Sequence, residues 1–111
     1  MDLSQIDLAK ASHYLNAIPA GFEDISVTNV ATAHDLMALG LGGKRVFMLA
    51  IGAAVTVLQG DHESTMTNGQ GLVVSTSAFS DRFFVPTSTA YEITVIAGSA
   101  GPHTLRVFYG D

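Results

Sequence analysis

Asp61-His62-Glu63 is the part of this 111-residue chain that comes nearest to a reactive or metal-holding site. Three adjacent ligand-type side chains serve one ion only if they converge on it, and neighbours in an extended chain point to opposite sides. A metal site also needs further ligands at matched distances and angles. The triplet is therefore expected to be a solvated loop tip. His34-Asp35 is a candidate for half of an acid–base pair, and His13, His62 and His103 supply further imidazoles. No Gly-x-Ser-x-Gly elbow is present to activate a serine. Without cysteine there is no thiol nucleophile. The closely spaced histidines of a cupin-type metal strand are also missing. Gly40-Leu41-Gly42-Gly43-Lys44 departs from the Gly-x-x-x-x-Gly-Lys-Ser/Thr phosphate loop, because Arg45 and strand-like residues follow where a helix should start. The expectation is a non-enzymatic protein with no catalytic residue, no metal ligand and no cofactor.

Charge narrows the partners. The net charge is −5, and the five bases are Lys10, Lys44, Arg45, Arg82 and Arg106, of which only Lys44 and Arg45 are adjacent. Nucleic-acid backbones and anionic membranes need a clustered basic footprint, so neither is expected as a partner. Charged residues make up 14% of the chain, against about 25% in an average soluble domain. The surface must then be covered by Ser, Thr, Asn, Gly and Ala, which lose water more easily against another protein. The longest apolar run, residues 46–58, is broken by Gly52 and Thr56 and is shorter than the roughly 20 residues of a membrane helix. The opening MDLSQIDLAK is acidic and has no apolar h-region, so no secretory signal is expected. With no disulfide possible, packing or assembly must hold the fold.

The elements that would position these side chains are mostly strands. Residues 4–17 predict a short amphipathic helix: Ser4 is an N-cap, Asp7 stands in a capping-box position, and Leu3 and Leu8 form a hydrophobic staple. Leu8, Ala11, Leu15 and Ile18 make one apolar stripe before Pro19-Ala20-Gly21 stops the helix. After Gly21 the period becomes two. Strands are expected around 25–28, 34–39, 44–51, 53–58, 72–75, 82–85, 91–97 and 103–109, with polar loops at 60–71 and 98–102. Residues 46–51 are apolar on both faces, as in a strand covered on both sides. The chain is expected to divide into an N-terminal helical arm, 1–21, and a β domain, 22–111. The expected class is all-β: a small jelly-roll or barrel-like sandwich of about eight antiparallel strands with a short N-terminal helix.

Phe83-Phe84 places one ring on each side of its strand. Core and subunit packing is one reading, and an exposed ring of a glycan-binding module is another. Leu8, Leu15, Ile18, Phe83 and Phe84 are the candidate partner-interface residues.

Residues 43–109 resemble the small β domains that tailed bacteriophages use as virion structural proteins, capsid decoration (cement) proteins among them. The resemblance lies in KRVFMLAIGAAVTVLQGD, the Gly-rich loop TNGQGLVV, the strand RFFVP and the closing pair YEITVIAGSAGPHTLRVFYGD. It implies a protein made in the host cytoplasm and carried on the capsid surface of the virion. There it would bind the major capsid protein and reinforce the shell, as a homo-oligomer and specifically a trimer. The alternatives are a ligand- or glycan-binding module, a head–tail accessory protein and an enzyme on a small barrel using His34, Asp35 or residues 61–63.

Overall fold

The computed structural model describes residues 18–110. Eight strands form two layers: β1 (Gly21–Val27), β2 (Thr32–Asp35), β3 (Arg45–Ile51), β4 (Val55–Gln59), β5 (Leu72–Val74), β6 (Phe83–Phe84), β7 (Glu92–Ala97) and β8 (His103–Tyr109). Sheet A has the order β1-β8-β3-β6 and sheet B the order β2-β7-β4-β5. Every strand pair is antiparallel. The result is the expected all-β sandwich. The predicted helix over 4–17, with Leu8 and Leu15, lies outside the described residues.

Alternation decides which side chains face inward. Ile25, Val27, Val46, Met48, Ala50, Leu105 and Val107 come from sheet A, and Val55, Val57, Val74, Ile93, Val95 and Ala97 from sheet B. Burying each of the larger ones contributes about 1.5–3 kcal/mol. Leu36, Leu41 and Val85 join this core from the connections. The chain changes sheets between Ile51 and Val55, where Gly52 takes φ 97°, a conformation that a side chain would strain.

The first strand starts at Gly21, ahead of the expected 25–28, and two other expected strands are cut short. The strand expected over 34–39 ends at Asp35. Its carboxylate Oδ1 accepts the N–H groups of Met37 and Tyr91, both at 3.0 Å, which turns the chain out of the ladder. A helical turn, Met37–Leu41, follows and is kinked at Gly40, with φ 84°. The strand expected over 82–85 is only two residues long, pairing Phe84 with Arg45 and Phe83 with Val46. Further along β3, serines replace the missing ladder. Met48 donates to Ser80 Oγ at 2.8 Å, the Ser80 N–H donates to Met48 O at 2.8 Å, and Ala50 donates to Ser75 O at 3.1 Å.

Residues 60–71 lie over the outer face of sheet B. Met66 joins Ala31 and Ile96 in a second small apolar cluster, with Leu58 packed against it. Thr94 Oγ1 accepts the His62 N–H at 2.8 Å and donates to Gly60 O at 2.7 Å. Thr56 Oγ1 donates to Asn68 Oδ1 at 3.1 Å and accepts the Gly69 N–H at 2.9 Å. Both threonines are buried by this cover.

Candidate partner-binding face

The outer face of sheet A is built by strand register. Phe22 on β1 lies opposite Phe108 on β8, and Phe108 lies opposite Phe47 on β3. Residues directly opposite share a side of the sheet, so three rings form a row across three strands. Phe47 and Phe108 stack with centroids 5.3 Å apart, and Phe22 meets Phe108 edge-on at 6.0 Å. Phe79, from the connection before β6, stands edge-on to Phe47 at 5.2 Å and to Phe108 at 5.8 Å. Such pairs contribute about 0.5–1.5 kcal/mol each beyond burial. The cluster is still open to solvent: Phe79 is 61% exposed and Phe22 48%.

Cations are interleaved with these rings. The Arg106 guanidinium lies 4.1 Å from the Phe22 centroid and grips Asp24 with two hydrogen bonds, Nε to Oδ1 at 2.8 Å and Nη2 to Oδ2 at 3.0 Å. The hydrogen bond from Arg106 holds the Asp24 carboxyl below its ordinary range, and the same bond raises the pKa of Arg106. Arg82 lies 5.5 Å from the Phe47 centroid, and its Nη1 is buried without a hydrogen-bond partner. Arg45 is exposed beside Phe84.

The candidate interface residues fall into different places. Phe84 points outward and is 58% exposed, whereas Phe83 turns inward, packs against the core and stacks on Tyr91 at 5.6 Å. Ile18 is 68% exposed just ahead of β1. Phe22, Phe47, Phe79 and Phe108 were not singled out by sequence. The two-sided apolar pattern of β3 pointed towards Phe47, but only register brings the other rings to it.

The polar motifs are engaged in local structure. Asp61 Oδ1 accepts the Glu63 N–H at 3.2 Å, and His62 Nε2 bonds Gln59 O at 2.8 Å. His34 lies opposite Ile93 and Asp35 opposite Glu92, so the two neighbours face opposite sides of sheet B. The His34 Nε2 is buried without a partner. Burial lowers the His34 pKa, while the charge of Glu63 works the other way. His103 Nε2 bonds Ser99 Oγ at 2.8 Å. Lys44, after the glycines, places its ammonium 4.8 Å from the Tyr109 centroid. Among the described residues no three His, Cys, Asp or Glu side chains gather into a group that could hold a metal ion. No helix among them is long and apolar enough to cross a membrane.

No protein-family model, no curated protein and no solved structure matches this chain.

Proposed function

We propose that this chain is a non-enzymatic virion structural protein that binds and stabilises a capsid shell, acting as a homo-oligomer on the major capsid protein. The observation that carries the reading is the outer face of sheet A. Among the described residues no loop closes over its rings as residues 60–71 close over sheet B. Exposed aromatic and arginine side chains are the types that interfaces concentrate. Within this reading the sandwich is a jelly roll. Its two sheets, β1-β8-β3-β6 and β2-β7-β4-β5, follow the double Greek-key order of an architecture used by capsid and lectin domains. Residues 1–21 and loops 60–71 and 98–102 supply contacts to the shell or to neighbouring copies.

The test uses capsids of the encoding phage assembled without this protein. Purified chain should bind them at a fixed number of copies per shell and raise the temperature at which they rupture. Loss of binding for Phe84→Ser, with unchanged folding, would support an assembly role for the face. Glycan-array binding that depends on Phe84, with no affinity for shells, would replace the capsid reading with the lectin-like one.

A further inference from the structure

The described basic residues all lie on or beside sheet A, where Glu23, Asp24 and Asp81 accompany them, while the side of sheet B carries acids alone. All four described basic residues belong to sheet A or lead directly into it: Lys44 before β3, Arg45 on β3, Arg82 before β6 and Arg106 on β8. Sheet B and the loop over it carry Asp35, Asp61, Glu63 and Glu92 and, among the described residues, no lysine or arginine. These acids crowd one end of the sheet. Asp35 and Glu92 lie directly opposite across β2 and β7, an arrangement that like charges disfavour. The Gly60 N–H donates to Glu92 O at 2.7 Å, which brings Asp61 to the same place. The ion pair among the described residues is Arg106–Asp24, within sheet A, so these four acids have no basic partner there.

The outer faces of a sandwich look in opposite directions. The ring-and-arginine face therefore cannot reach the acidic end of its own molecule, but it can reach that of another copy. We infer that the outer face of sheet A docks head-to-tail on the acidic end of sheet B of a second copy. Arg45 and Arg82 then meet Glu63 and Glu92, and Phe79 and Phe84 lose their exposure in the contact. A heterologous contact of this kind propagates from copy to copy and closes into a ring if the rotation allows. Desolvated arginine–carboxylate pairs beside aromatic rings have the composition of an interface centre. The inference rests on the assembly part of the proposed function and names the contact that makes the oligomer.

Reversing charge on one side at a time tests it. Arg45→Glu/Arg82→Glu and Glu63→Lys/Glu92→Lys should each fold, yet lose self-association by about tenfold or more in analytical ultracentrifugation. An equimolar mixture should recover it, since each reversed face then finds its opposite. Wild-type association should also weaken as salt rises from about 0.05 to about 0.5 M. Because Arg82 also packs on Phe47, Arg45→Glu alone serves as a milder variant and should weaken association in the same direction. A monomeric wild type, single variants that associate like wild type, or a mixture that stays dissociated would each overturn the inference. Shell binding measured in parallel separates the two claims. Binding that survives in a monomeric protein leaves the capsid reading standing, whereas a head-to-tail oligomer without shell affinity leaves only the contact.

Discussion

The outer face of sheet B carries Leu58, Ile96 and Thr94 and is closed by the chain's own residues 60–71, whereas the outer face of sheet A carries Phe22, Phe47 and Phe108 under partial cover from Phe79 and Arg82. Both faces present apolar side chains to what would otherwise be water. On sheet B two buried threonines hold the cover in place by bonding its backbone and Asn68, and Met66 fills the space beneath it. On sheet A the cover among the described residues is one exposed ring and one guanidinium with an unpartnered nitrogen. One face finishes its packing inside the molecule, and the other keeps rings exposed among the described residues.

The largest effect should separate the faces outright. Met66→Ala empties the cluster under the loop and should cost about 2–4 kcal/mol in urea unfolding. Phe84→Ala removes a side chain that the folded chain leaves more than half exposed and should stay within about 0.5 kcal/mol. Equal losses at the two positions would break the distinction between a covered and an open face.

Thr94→Val sharpens the account of how the cover is held. The valine keeps the shape but leaves the His62 N–H and Gly60 O without their shared partner. Stability should fall by about 1–3 kcal/mol, and the His62 amide should exchange with solvent faster than the β8 amides. Unchanged exchange at His62 would show that the threonine does not anchor the loop.

The smallest effect is expected from acidification. The folded His34 has a pKa below its ordinary 6.5 because burial disfavours the charged ring. Its unfolded form therefore takes up a proton first. The His34 contribution is fully present above pH 6.5 and is lost as pH falls from there through the lower folded value. His34→Gln should flatten this part of the stability-versus-pH curve. A slope that persists in the variant would assign the acid sensitivity to another group.

Much of the fold was legible in the residues because strand alternation is local. The period of two in Tyr91, Ile93 and Val95 and in Leu105, Val107 and Tyr109 marked β7 and β8, and polar runs marked the loops at 60–71 and 98–102. The end of β2 was not legible. It depends on Asp35 accepting an N–H from Tyr91, a residue far along the chain. The candidate face was legible only in part. Phe84 and Ile18 could be named from their neighbours, but Phe22 could not, since nothing near it in the chain announces Phe108.

By itself the sequence determined the strand content, the two faces of each strand, the shortage of charge and the lack of any thiol chemistry, all of which follow from residue type and short-range period. Tertiary structure alone decided which outward-facing side chains stand together. Antiparallel register joined Phe22, Phe108 and Phe47 into one row, aligned Asp24 with Arg106, and put the described basic residues on or beside one sheet and, on the other, an acidic end with no basic partner among the described residues. Register is set between strands that can lie some eighty positions apart, as Asp24 and Arg106 do, so no local pattern encodes it. What a strand shows to solvent is therefore known from its own residues, and what a sheet shows to a partner is known only once its strands are paired.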